Sequence, residues 1–166
     1  MSEPQMQTRE SIIDYANKNG ILGDIFIAKD SASHEILSRY FDFGYIYVFD
    51  GNKKLLDCNI ESRGGRCFQD IQDDICKQVE IKKRDKLDID GVMIWNKLLE
   101  NAECITDGCK GEGIDFNEYD YIIIYPWVMY SKSCIDESSI RFIKCSINSK
   151  YRIRVVTVNT DYCSHF

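Results

Sequence analysis

Apolar positions in this chain repeat with two periods, and the alternation between those periods predicts its elements. In SIIDYANKNG, residues 11–20, Ile12, Ile13 and Ala16 share one helical face and Gly20 stands where a helix would stop. DIFIA, residues 24–28, follows as a short apolar strand. Asp30 or Ser31 can cap the next helix, in which Ile36, Leu37, Tyr40 and Phe41 recur at three- and four-residue steps and make one stripe. GYIYVFD, residues 44–50, reads as a buried strand, and the Gly51-Asn52 pair as a tight hairpin turn into KKLLDCN. Phe68, Ile71 and Ile75 mark a short helix after the loop ESRGGR.

The second half begins with the polar stretch VEIKKRDKLDID, residues 79–90, which reads as a linker inside a single domain of residues 1–166. Trp95, Leu98, Leu99 and Ala102 then form the apolar face of a helix capped near Asp90. ITDGCKGEGIDFNE is rich in turn residues. The strand YDYIIIY, a helix with Ile140, Ile143 and Ile147 on one side, and the strand RIRVVTV follow. A strand, a helix and a strand over that length form a right-handed βαβ unit with parallel strands. The order of elements predicts an α/β domain with a mixed sheet flanked by helices, to which residues 45–58 contribute an antiparallel hairpin.

Composition narrows the function classes. A chain of 166 residues, 44% hydrophobic, is long enough to bury a core without staples. The formal charge of -6 argues against a nucleic-acid partner, because phosphate binding needs clustered Lys and Arg. The basic run Lys82 to Arg84 is followed at once by Asp85 and Asp88, the pattern of a solvated loop. No window approaches the roughly 20 apolar residues of a membrane span. The start MSEPQMQTRE has no apolar signal region, so the chain as written reads as cytoplasmic; if a leader was removed, it belongs to the cell envelope or periplasm. The eight cysteines show no Cys-x-x-Cys pair and fit either setting, as buried thiols in the first and as oxidised pairs in the second.

The stretch YPWVMYSKSC, Tyr125 to Cys134, leaves an apolar strand and enters a helix. It resembles the thioredoxin-like superfamily, whose members carry an aromatic-rich strand end, a Trp, and a Cys-x-x-Cys at the start of the next helix. Setting Trp127 on the upstream Trp puts Tyr130 on the second, Ser131 on the first cysteine and Cys134 on the second cysteine. VVTVNTD resembles the strand that follows, with Asn159 and Asp161 as its terminal polar pair. The family's nucleophile is the first cysteine, favoured as thiolate by the helix N-terminus, and Ser131 cannot act in that way. The family's cis-proline should precede the hairpin strand, where this chain has Gly44; Pro4 and Pro126 are its two prolines. The helix and antiparallel strands that follow the βαβ unit in the family occur here at the other end, in residues 31–76. The sheet is therefore either a thioredoxin-like core with permuted connectivity or one that resembles it only over residues 119–161.

On that resemblance the chain is a divergent, bacterial, redox-inactive member, a non-catalytic binding or structural protein with an as yet unidentified protein partner and no cofactor or metal. The rival reading is a thiol-dependent oxidoreductase or peroxidase using Cys134 alone or with Cys163. Residue by residue, Trp127 and Tyr130 also fit core aromatics at a strand end. Other candidates are weaker. Asp107, Asp115 and Glu118 fall on ligand positions of a calcium loop, but Cys109, Gly111 and Glu112 break its pattern, which leaves a surface loop. Zinc sites usually show two closely spaced ligand pairs, which neither Cys104 with Cys109 nor Cys163 with His165 supplies; for Cys104 and Cys109 two unpaired thiols are expected ahead of a disulfide or a metal, which rank equally. SRGGR lacks the Lys-Ser/Thr ending of a phosphate loop. His34 and His165 are not placed by sequence beside a nucleophile and an acid.

Overall fold

A computed structural model describes residues 7–41, 46–56, 75–77, 86–107, 109, 115–129 and 137–161. In chain order the elements are α1 (Arg9–Asn19), β1 (Asp24–Ala28), α2 (Ser31–Tyr40), β2 (Tyr47–Asp50), β3 (Lys54–Leu56), β4 (Lys86–Asp90), α3 (Gly91–Asn101), β5 (Ala102–Cys104), a 3₁₀ turn (Phe116–Glu118), β6 (Tyr121–Trp127), α4 (Glu137–Ile147) and β7 (Ile153–Asn159). Local chemistry explains the helix boundaries. Thr8 and Ser11 exchange hydrogen bonds as a capping box at the start of α1, and Gly20 closes that helix with φ 70°. Of the two cap candidates for α2, Asp30 takes the role, accepting from the Ser33 N–H at 2.8 Å.

One mixed sheet of six strands runs in the order β3-β2-β6-β7-β1-β5, and β4 pairs with β3 beyond its edge. β6, β7 and β1 are parallel, with registers Tyr121↔Ile153 through Trp127↔Asn159 and Asp24↔Val156 through Phe26↔Val158. β2 and β5 are antiparallel to their neighbours β6 and β1, so antiparallel strands flank a parallel centre.

Helices cover both faces, and the period-2 alternation of the strands sorts their side chains between them. On one face Phe26, Phe49, Ile122, Ile124, Val156 and Val158 pack under Leu37 of α2, Phe41 at its C-cap, and Ile94, Trp95 and Leu98 of α3. On the other, Ile25, Ile27, Trp127 and Val155 pack under Ile12 and Ala16 of α1 and Ile143 of α4. Val48, Leu56 and Ile123 meet Phe142 and Ile75 beside that cluster. Parallel strands buried on both faces read as continuous apolar runs, and β6 and β7 do so. Among the described residues no helix is long and apolar enough to cross a membrane.

The structure departs from the expected elements in five places. Residues 86–90 of the polar stretch form β4, held by backbone pairing of Lys54 with Asp90 and Leu56 with Lys86. Ala102, expected on the face of α3, opens β5 and pairs with Ala28. β6 continues through Pro126 and Trp127, which pair with Val158 and Asn159 of β7. The β2–β3 hairpin turns through three residues, with Lys53 at φ 66° and the Asp50 carboxylate accepting from the N–H groups of Asn52 and Lys54. In the stripes of α2 and α4, Leu37, Phe41 and Ile143 are buried while Ile36, Tyr40 and Ile147 are exposed. Of the short helix marked by Phe68, Ile71 and Ile75, only Ile75–Lys77 lies within the described residues.

Candidate functional site

The three parallel strands end at one edge of the sheet. From β1 the chain passes to α2 on one face, whereas the connection from β6 leads to α4 on the other. In open α/β sheets, ligands bind outside the carboxyl ends of parallel strands where connections leave to opposite faces. The residues there are Lys29 and Asp30 after β1, Val128 and Met129 after β6, and Thr160 and Asp161 after β7.

Asp161 organises this edge. It is 3% exposed, and its Oδ2 accepts from the Met129 N–H at 2.7 Å and from Asn159 Nδ2 at 2.8 Å. Its own N–H donates to Asn159 Oδ1, and the Thr160 N–H donates to the Trp127 carbonyl at 3.1 Å. Burial pushes the Asp161 carboxyl above the ordinary aspartate range, opposed by the bonds from Asn159 and Met129 and by the nearby His34. His34 lies on α2, its Nε2 3.0 Å from the Thr160 carbonyl oxygen. A carbonyl only accepts, so Nε2 carries the hydrogen in this contact. An open cleft of about 510 Å³ runs along α2 beside this edge, lined by Ser31, Ala32, His34, Glu35, Ser38 and Arg39.

The structure brings together residues that sequence treated separately. Asn159 and Asp161 stand out in the sequence only as the polar end of a strand, and His34 as a residue inside a helix. Their meeting depends on β1 and β6 lying on either side of β7. Trp127 is fully buried at the end of β6 and stacks on Tyr15 of α1, with ring centroids 5.9 Å apart and planes at 14°. Its indole N–H has no partner among the described residues. Tyr130, Ser131 and Cys134 lie outside the described residues, as do Cys163 and His165.

The four described cysteines stand elsewhere, in two disulfides. Cys104 and Cys109, expected as unpaired thiols, are joined. The turn in which the Cys109 N–H donates to the Thr106 carbonyl brings the chain back to the end of β5 and leaves the two Cα atoms 6.2 Å apart. Cys76 and Cys145 form the second bridge, against the face that carries α4. In the calcium-like loop, Asp115 caps the 3₁₀ turn, accepting from the Asn117 N–H at 2.9 Å. Residues 110–114 of that loop and the SRGGR stretch lie outside the described residues. The carboxyl edge thus offers a buried acid and a histidine whose Nε2 donates to a strand-end carbonyl, with an open cleft lined by α2 beside them. The chain matches no protein-family model, no curated protein and no solved structure.

Proposed function

We propose that this chain is a non-catalytic, thioredoxin-like binding or structural protein with permuted connectivity, which meets a protein partner at the carboxyl edge of its parallel strands. The observation that carries this reading is the burial of Trp127. The aromatic matched to the edge of a working dithiol is packed face to face on Tyr15 inside the core. Ser131 in place of the nucleophilic cysteine supports the same conclusion.

The sheet supports the permuted form. β6, α4 and β7 make a βαβ unit, and the antiparallel pair β2 and β3 lies on the far side of β6, supplied by chain that precedes the unit instead of following it. Exposed Ile36 and Tyr40 on α2, the helix that lines the open cleft, would give a partner apolar contact. Two disulfides fit the cell-envelope alternative for its location.

The test is mass-resolved alkylation of the native chain, with and without prior reduction, over a pH series. Cys134 is expected to react no faster than an ordinary thiol of pKa about 8.5. A fast thiol at Cys134 well below that pH, lost in Cys134→Ser, would overturn the binding reading and favour the thiol-dependent oxidoreductase or peroxidase.

A further inference from the structure

The amino end of β1 holds a second cluster, unrelated to the carboxyl edge. The Asp24 carboxylate and the sulfurs of Cys104 and Cys109 lie with their ligand atoms within 4.8 Å of one another, all partly buried. We propose that the reduced chain binds one thiophilic divalent cation of the zinc class through Cys104 Sγ, Cys109 Sγ and the Asp24 carboxylate. The Cys104–Cys109 disulfide is then the form that excludes the metal.

Geometry favours this ligand set. Around a tetrahedral zinc, ligand atoms about 2.0–2.3 Å from the metal stand roughly 3.5–3.8 Å apart, so the two sulfurs, bonded in the oxidised chain, would separate to that spacing on reduction, with the Asp24 carboxylate already within 4.8 Å of both. The backbone that places the sulfurs is held by hydrogen bonds as well as by their bond. The Ile105 N–H donates to the Ile25 carbonyl at 2.9 Å, the Ile25 N–H to Thr106 Oγ1 at 2.8 Å, and the Cys109 N–H to the Thr106 carbonyl at 3.1 Å. Reduction therefore leaves both thiols tethered beside the first residue of β1. Sequence spacing supplies two sulfurs but no third ligand, because Asp24 reaches them only through the pairing of β1 with β5.

Charge favours it as well. Arg154 Nη2 and Nε both donate to Asp24 Oδ2, at 2.8 and 3.2 Å, and neither takes up Oδ1. Two thiolates and one carboxylate carry three negative charges, and a divalent cation with the Arg154 guanidinium carries three positive ones. A partly buried site is then neutral. Arg154 orients the ligand carboxylate from behind, as outer partners of metal ligands do, and is itself held over the rings of Trp95 and Tyr119. Three protein ligands leave a fourth position for water or a further donor.

The chemistry balances with a dithiol as reductant. One of its thiolates attacks a sulfur of the Cys104–Cys109 bond, and its second thiol closes a disulfide on the reductant, releasing Cys104 and Cys109 as thiols. The cation then displaces one proton from each thiol as the two metal–sulfur bonds form.

Co²⁺ and Zn²⁺ serve as probes on the full chain. The phosphine-reduced protein, freed of reductant without oxygen, is titrated with Co²⁺ and read by thiolate-to-cobalt absorption. It is then loaded with Zn²⁺, alkylated and mapped by peptide mass. One equivalent of Co²⁺ is expected for the reduced chain and none at this site for the oxidised chain. Zn²⁺ should slow alkylation at Cys104 and Cys109 selectively, and Asp24→Asn should weaken Co²⁺ binding by about tenfold or more. Absorption equally strong in the oxidised chain, no absorption in the reduced chain, protection confined to other cysteines, or unchanged affinity in Asp24→Asn would each overturn the proposal. The protection map needs no variant, so it decides the matter even if a Cys104→Ser, Cys109→Ser chain fails to fold.

Discussion

Replacing Asp161 by Asn and by Ala separates the charge of this buried carboxyl from its role as an acceptor. Oδ2 takes two N–H donors, Met129 N at 2.7 Å and Asn159 Nδ2 at 2.8 Å, in a residue that is 3% exposed. Asn keeps an oxygen that can accept both, whereas Ala leaves both donors unpaired. A buried unsatisfied donor costs about 1–3 kcal/mol, so Asp161→Ala, with two of them, should lose about 2–6 kcal/mol near neutral pH. Asp161→Asn should match or exceed the parent there.

The pH dependence has a definite sign. Burial raises the folded pKa of Asp161 above its unfolded value, so the unfolded state releases the proton first as pH rises. The contribution of Asp161 is fully present below the unfolded pKa, about 3.9, and declines as pH rises through the folded value. Urea unfolding of parent and Asp161→Asn from pH 3.5 to 8 isolates this group, because the other carboxyls cancel in the difference. The parent should lose stability relative to Asp161→Asn across that window and then level off. An Asn variant as damaged as the Ala variant at pH 7, or a difference that runs the other way with pH, would refute the burial argument.

The two disulfides should differ in worth, since Cys76–Cys145 spans 69 residues of sequence and Cys104–Cys109 spans 5. Chain-entropy estimates give about 4.4 and about 2 kcal/mol respectively, so Cys76→Ser with Cys145→Ser should lower the urea midpoint by about twice as much as the Cys104→Ser, Cys109→Ser pair. Gly23→Ala should cost about 2–4 kcal/mol in the same assay, because Gly23 has φ 106° and a Cβ there would stand 2.7 Å from the Val155 carbonyl oxygen. Gly20→Ala, with φ 70° and the Ile140 side chain 3.5 Å away, should cost only about 1 kcal/mol.

What the sequence reveals follows the range of the interactions involved. Ile122–Ile124 and Val155–Val158 announce β6 and β7 because a strand buried on both faces must be apolar throughout. The helix caps at Thr8 and Asp30 are equally local. β4 escapes notice because its sequence KLDID is mostly charged, and β5 because it is three residues long, so in both the partner's backbone decides the matter more than side-chain pattern does. Cys76 finds Cys145 only after the hairpin and α4 share a face. The same reasoning explains the candidate site: the strand-end pair Asn159 and Asp161 is visible in the sequence, but its burial and the contact of His34 with the intervening Thr160 carbonyl depend on three strands and α2 converging.

The polar groups at the two ends of β1 answer a problem that its apolar residues cannot. β1 joins β7 through only three register pairs, between segments far apart in sequence, and the strand is apolar on both faces. Sliding such a strand by one residue exchanges Phe26 and Ile25 between two hydrophobic layers, at little cost in burial, whereas in a strand with one wet face the same slip would be prohibitive. Burial alone therefore specifies the register weakly. Asp24 binds Arg154 at the amino end, and His34, carried by the helix that follows β1, reaches the Thr160 carbonyl at the carboxyl end. A slip would break both contacts and leave Asp24 partly buried without its counter-charge, a loss much larger than that of a surface ion pair. The same two ends carry the proposed metal ligands and the carboxyl-edge network, so the residues that set the register of β1 are also those whose chemistry is available for binding.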